Sequence, residues 1–333
     1  ESPGKWSPPR WRGNSVAGIL GLDTSNYTTS AAVYDTKERR LYGEKKLLPV
    51  KEGELGLRQS DAVFHHVRQL PERIKRLREQ YEGPLHAVAA SDRPRQTQGS
   101  YMPCFLAGWG LAEELAEVLR IPLYRFTHQQ GHVAAAAFGS GHAELLAGAF
   151  LAFHVSGGTT DALLIRPDAD EVIVCGEAAS SLDLKAGQLI DRVGHLLGLP
   201  FPAGPALDRL AGGSAEGDKL PRPSLKGANC SLSGVENQCR ALLQKGEEPE
   251  KIARFCLLSI AAALEGMIQA LQEQYGKLPL VYAGGVMSNT LLRQRLASRF
   301  GGWFAPPELS ADNACGIALL GAVKEEGLSC LLA

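Results

Sequence analysis

An α/β fold made of two similar halves is what the sequence predicts, and three observations predict it. An apolar strand, a turn rich in hydroxyls and glycine, and a second apolar strand occur twice, at 17–34 and again from 146 to 166. Between and after these units, short apolar runs alternate with helical patterns, as in an α/β sheet. Two of the runs pass directly into double glycines, HVSGGTTD at 154–161 and YAGGVMSN at 282–289.

Taken in order, residues 1–15 (ESPGKWSPPRWRGNS) read as a loose arm, and the fold begins near Val16. The first lobe is expected over 16–145 and the second over 146–333, the final helix packing back on the first lobe. In the first lobe, Ala17–Leu22 is a strand, residues 23–29 a polar turn and Ser30–Tyr34 its partner strand. A basic stretch, LYGEKKLLPVK, leads to a helix over 59–80 with Phe64, Val67, Leu70, Ile74 and Leu77 at helical spacing. A strand at 85–91, a loop containing RPR at 93–95, a helix at 103–119 and a strand at 121–125 follow. The second lobe adds helices at 186–197 and 206–211, broken by PFPAGP. KGANCSLSGVENQ reads as a polar turn. A long helical region then covers 249–275, followed by a strand at 279–285, a helix at 289–299 and a C-terminal helix that Asp312 starts, favourably for the helix dipole.

Composition narrows the function classes. The 333 residues are 44% hydrophobic and 21% charged, ordinary for a globular chain, and long enough for two domains. Lys plus Arg total 35 against 36 acidic residues, so no overall basic charge advertises nucleic acid, although a local patch remains open. Seven cysteines form no CxxC pair and read as reduced core thiols. No secretory signal is legible, no segment approaches a membrane span, and runs such as LLAGAFLAF read as buried strands. The expected location is the cytoplasm.

The chemistry concentrates in a few places. His128 and His132, four apart in THQQGH, project from one helix face and can share a metal ion. With the Asp312 carboxylate they make a two-histidine, one-carboxylate set suited to iron or zinc. His154 interrupts an apolar strand where it meets the SGG turn. It either points at the histidine pair or is a buried imidazole satisfied by a carbonyl. Gly157 and Gly158 permit a turn whose N–H groups approach a phosphate while Ser156 and Thr159 offer hydroxyls, though SGG after a strand also serves as a plain hairpin turn. Asn289 either caps its helix or bonds a ribose or base. Asp191 and Gly204 flank a loop that can line the same cleft, and Asp191 can equally be solvated. HxxxH invites comparison with zinc peptidases, but the position of their general base holds Gln129, which cannot ionise. His65 and His66 lie on an amphipathic helix and need no special role.

In order, GLDTSNYTTSAAVYD, HQQGH, HVSGGTT, DLKAGQLIDRVGHLLGLPFPAGP, SLSG, LVYAGGVMSN and SADNA resemble the threonylcarbamoyl transferase family that modifies adenosine 37 of tRNA, long mislabelled as sialoglycoprotein endopeptidases. The resemblance runs from Gly18 to Gly321. It implies the duplicated fold of actin, sugar kinases and heat-shock chaperone ATPases, two lobes around a central cleft. It also implies metal ligands at His128, His132 and Asp312, with His154 where some relatives place a further tyrosine ligand. Nucleotide contacts are implied at Ser156, Gly157, Gly158, Asp191, Gly204 and Asn289. The implied ligands are one divalent metal (Fe2+ or Zn2+) and an adenine nucleotide or threonylcarbamoyl-adenylate. The implied partners are tRNA and the proteins of a tRNA-modifying complex or a second copy of the chain. The motifs fix no catalytic side chain; Asp23 is the candidate.

The chain departs from the family pattern as a divergent paralogue would. Tyr27 and Thr28 replace an acidic pair, RPR replaces GPG at 93–95, and Thr159 stands for a histidine. Leu184 and Lys185 alter DDA, Gln188 replaces a glutamate, and Glu236 replaces a lysine. Two alternatives therefore stand beside the tRNA transferase: a non-catalytic nucleotide-binding subunit, and a carbamoyl transferase acting on another acceptor.

Overall fold

A computed structural model describes residues 18–25, 27–49, 57–214, 217, 219–310 and 313–332. The arm expected at 1–15 and the expected ligand Asp312 lie outside the described residues. Two five-stranded sheets organise the chain. The first is formed by β1 (Gly18–Ser25), β2 (Thr28–Asp35), β3 (Arg40–Leu47), β4 (Leu85–Arg93) and β5 (Leu123–Thr127), in the order β3-β2-β1-β4-β5. Helices α1 (Gln59–Gln80) and α2 (Phe105–Leu119) flank β4 in sequence, and α3 (His128–Gly139) follows β5 directly. The second sheet begins with β6 (Phe150–Val155), β7 (Thr160–Asp168) and β8 (Val172–Ser180). Next come α4 (Ala186–Leu196), α5 (Gly204–Gly212), the small hairpin β9 (Ser224–Lys226) and β10 (Asn229–Ser231), α6 (Ser233–Gln244) and α7 (Pro249–Tyr275). Strand β11 (Leu280–Ala283), α8 (Thr290–Phe300), β12 (Trp303–Phe304), α9 (Pro307–Ser310) and α10 (Asn313–Glu326) complete it.

The second sheet has the order β12-β11-β6-β7-β8. Each sheet is thus an antiparallel meander of three strands with two parallel strands added beside its first. That shared topology is the duplication expected of an actin-like fold. In it α3 and α10 hold equivalent places, each after the last strand of its sheet.

Strand alternation explains the layers. On β1, β2 and β4, the residues Ile19, Ala32, Tyr34, Ala87 and Ala89 face a core shared with α3, α10 and Phe150, Ala152 and Ile165 of the second sheet. Their neighbours Leu20, Leu22, Val33 and Val88 face α1 and α2. On the far side of the second sheet, Leu151, Phe153 and Val155 pack with α4, α5, α7 and α8. The inner helices are rich in small residues because they are squeezed between two sheets: Ala134–Ala137 on α3 and Ala314, Ala318 and Ala322 on α10 are all buried.

Several elements differ from the sequence reading. Strands β1 and β2 run through the stretch read as a polar turn. Asp23, Thr24, Thr29 and Ser30 are nonetheless buried, because their side chains find partners, as where Thr24 Oγ1 donates to the Cys104 carbonyl at 2.9 Å. β3 was hidden by its exposed, charged edge position, which leaves no alternating signal. On α1 the buried stripe is Ala62, His66, Leu70, Arg73 and Leu77, while Phe64 and Val67 are exposed. The stripe is rotated because its polar members are answered from the sheet, His66 by Thr29 Oγ1 at 2.8 Å and Arg73 by Glu44 at 3.1 Å. The supposed polar turn at 226–238 contains β10 and the first half of α6. That helix is capped from a distance: the Asp183 carboxylate accepts from the Leu232 amide at 2.7 Å and the Ser233 hydroxyl at 2.6 Å. By length and composition α7 could cross a membrane, which corrects the expectation that no segment approaches such a span. However, 72% of its most apolar window is buried inside the protein. All seven cysteines are buried.

Candidate active site

Asp23 on β1 and Ser91 on β4 have the same alternation as the residues that face the inner layer, and so does His154 on β6. The first two turns of α3 bring His128 and His132 there, and the start of α10 brings Asn313. The capping box of Thr127 and Gln130 fixes where α3 begins: the Gln130 amide N–H donates to Thr127 Oγ1 at 3.2 Å, and Gln130 Oε1 accepts from the Thr127 amide at 2.7 Å. The imidazole centroids of His128 and His132 are 4.6 Å apart, and those of His132 and His154 are 4.7 Å apart. His154 therefore joins the pair. A cavity of about 210 Å³ opens on the cluster, lined by Asp23, Ser25, Tyr27, Thr28, Ser30, His128, His132 and Asn313.

The electrostatics leave two of the rings neutral. Burial pushes His132 well below the usual imidazole range, helped by the charges of His128 and His154. His154 is pushed down to about 4, first by burial and then by His128 and the Arg95 guanidinium. Burial opposes the charge of Asp23, but the His128 charge and hydrogen bonds from His128, Ser91 and Ser25 outweigh it, so its carboxyl lies below the ordinary range. Neutral imidazoles with available lone pairs are the state a transition metal requires, so the donor set fits such an ion. Among the described residues no three His, Cys, Asp or Glu side chains already surround a common coordination point.

A second cavity, about 550 Å³, is lined by four of the expected nucleotide residues: Gly157, Asp191, Gly204 and Asn289. It is built by close backbone approach. A Cβ on Gly187, at the start of α4, would lie 2.7 Å from Gly157 N and Cα. Gly284 has φ 97° and leaves no room for a Cβ, which would stand 2.3 Å from the Val155 carbonyl oxygen. The two double-glycine turns thereby stack at the end of β6, next to His154. Ser156 and Gly158 lie off the cavity wall. Ser156 Oγ instead organises the turn, accepting from the amides of Gly158 and Thr159 at 3.2 and 3.1 Å and pairing with the Thr159 hydroxyl at 2.8 Å. Asp191 accepts from the Ala203 amide at 2.9 Å, and Asn289 caps α8 through the Leu292 amide at 3.0 Å.

Sequence reasoning missed Gly187, Asp208 and Arg209 on this wall. A signal existed: Gly187 is four residues before Asp191 on α4, and Asp208 four after Gly204 on α5, the spacing of one helix face. Asp208 also accepts from the Thr290 amide at 2.9 Å, tying α5 to α8. The departures from the family pattern have partners of their own. Arg95 reaches across to the second sheet, to Asp161 at 3.2 Å and Glu177 at 2.9 Å. Lys185 donates to the Ser181 carbonyl at 2.9 Å, and Glu236 pairs with Arg192 at 3.0 Å.

Residues 55–319 match the family model described as tRNA N6-adenosine threonylcarbamoyltransferase. Proteins of that name from Chromobacterium violaceum and Brucella anthropi are each 31% identical, the match covering 92% of this chain and 92% and 89% of theirs. The one from Methanopyrus kandleri is 30% identical over 82% of this chain and 78% of its own. Among solved structures, full-length HypF in a phosphate- and nucleotide-bound form superposes with a TM-score of 0.57 at 14% identity, covering 94% of this chain and 57% of that one. Component A of the Acidaminococcus fermentans (R)-2-hydroxyglutaryl-CoA dehydratase gives 0.54 at 16% identity, covering 93% and 98%. These two likenesses concern the fold.

Proposed function

The chain belongs to the tRNA N6-adenosine threonylcarbamoyltransferase family, and from that premise we propose that it transfers a threonylcarbamoyl group from threonylcarbamoyl-adenylate to N6 of adenosine 37 in tRNA. The observation that supports this reading most is the place of His154 at the end of β6, its ring beside His132 of one cavity and beside the Gly284–Gly285 turn of the other. The glycine-turned one has the walls for an adenylate, and the smaller one carries the imidazoles of His128 and His132, with the His154 ring beside His132. Gly157 and Gly285 offer backbone to the phosphate, while Asp191 and Asn289 stand where a ribose or base would be held. The acyl end then points past His154 towards the histidines. The N6 amine attacks the carbamoyl carbon, a C–N bond forms, AMP leaves with the electrons of the broken C–O bond, and the amine loses a proton.

His128, His132 and His154 would hold a divalent ion such as Fe2+ or Zn2+, with Asp312 as the expected carboxylate ligand. Bound there, the ion would stabilise negative charge developing on the acyl oxygen. With 35 basic and 36 acidic residues, the chain would hold tRNA through a local patch, through partner proteins or through a second copy of itself.

The test is to supply purified, metallated protein with the adenylate, unmodified tRNA and its partner proteins, and to measure modified adenosine in the digested tRNA. No product from a fully complemented sample would end this reading. One observation favours a second: the cavity beside the histidines presents Tyr27 and Thr28 where the family pattern has acids. A non-catalytic nucleotide-binding subunit would tolerate His128→Ala in a complementation assay, whereas the transferase would not.

A further inference from the structure

We propose that Asp23 is a positioning residue, fixing the His128 ring so that Nδ1 carries the proton and Nε2 presents its lone pair for coordination; this rests on the metal-binding part of the reading above. Asp23 is 1% exposed, and its Oδ1 and Oδ2 lie 3.0 and 3.2 Å from His128 Nδ1. The carboxylate is itself held, because Ser91 Oγ on the neighbouring strand donates to Oδ1 at 2.5 Å and Ser91 is fully buried. An ionised carboxylate only accepts, so the ring nitrogen facing it must be the donor. The other nitrogen is then unprotonated, and it stands 3.0 Å from a donor, Asn313 Nδ2. The same amide nitrogen touches Nδ1, while Asn313 Oδ1 is buried without a hydrogen-bond partner. The unsettled group at the ring is therefore Asn313, not Asp23.

The arrangement is a buried serine, a buried carboxylate and a partly exposed imidazole in series, set by strand alternation on β1 and β4 and by the first residue of α3. A carboxylate behind a coordinating histidine fixes the tautomer and raises ligand basicity, and its loss typically weakens metal binding about 10–100-fold. His132 lies 4.6 Å away, ring to ring. The pair thus divides: the His128 ring is oriented by a buried acid, and the His132 ring packs between those of His128 and His154.

Two measurements on the full chain test this. Nitrogen NMR of the metal-free protein should show His128 with its proton on Nδ1, and Asp23→Asn should shift that signal towards the other tautomer. Calorimetric titration with Zn2+ alone should show Asp23→Asn binding about 10–100-fold more weakly, with adenine-nucleotide affinity unchanged. A wild-type His128 protonated on Nε2, or Asp23→Asn with wild-type zinc affinity, overturns the proposal. If Asp23→Asn does not fold, Ser91→Ala decides: a smaller weakening of zinc binding supports the proposal, and none overturns it. A wild-type protein that binds no zinc removes the metal reading itself, whereas zinc binding indifferent to Asp23 removes only this inference.

Discussion

The backbones of Gly131 and Gly316 are in contact: a Cβ on Gly316 would stand 1.8 Å from the Gly131 carbonyl oxygen. Each is the fourth residue of its helix, and α3 and α10 are the equivalent helices of the two halves. The crossing brings the start of α10 beside His128. Gly316→Ala must push the helices apart, and overpacking of this kind costs about 1–3 kcal/mol. Urea unfolding should show that loss, and zinc affinity should fall with it because the helix starts that carry the site are separated.

Gly187 is expected to be as intolerant for a different reason. A methyl there collides with the Gly157 turn at 2.7 Å and distorts the wall of the larger cavity. Gly187→Ala should weaken adenine-nucleotide binding by about tenfold or more, roughly 1.4 kcal/mol, measured by calorimetry. Zinc binding should change far less.

His66 gives the fold a pH dependence. Burial pushes its imidazole down to about 4 against an ordinary 6.5. Above pH 6.5 the group is neutral in both folded and unfolded chains and has no effect. As pH falls below 6.5 the unfolded chain takes up a proton that the folded one refuses, so stability declines until about pH 4 and then levels off. The span corresponds to at most roughly 3 kcal/mol. Chemical denaturation from pH 7 to 4 should show a shallower decline in His66→Gln, and an unchanged slope would count against this assignment.

The seven cysteines should be silent towards a thiol reagent in the native protein, since all are buried. Burial also pushes the Cys104 and Cys175 thiols upward, Cys104 to about 12. Thiol titration should find seven reactive groups only after unfolding; rapid native labelling would contradict the packing described.

How much of this was legible in the sequence depended on range. The strand-to-glycine-turn units, α7 and α8 declared themselves through local periodicity, and His154 through its interruption of an apolar strand. The equivalence of the two sheets was legible only in outline, because β3 is a charged edge without alternation and β8 follows an acidic turn. The start of α6 was invisible because its cap, Asp183, is fifty positions upstream of Ser233. Asp23 drew notice as one acid in a motif. Its partner Ser91 carried no signal, because strand pairing between β1 and β4 is what joins them.

Placing α10 between the sheets has a consequence for biosynthesis. The inner face of β1, β2 and β4 is covered by Ala314, Ile317 and Ala318, residues that leave the ribosome after every strand of both sheets. Until then Ile19, Tyr34 and Ala89 lack that cover, so the first sheet waits, partly naked and prone to clumping, for a helix made after the second sheet.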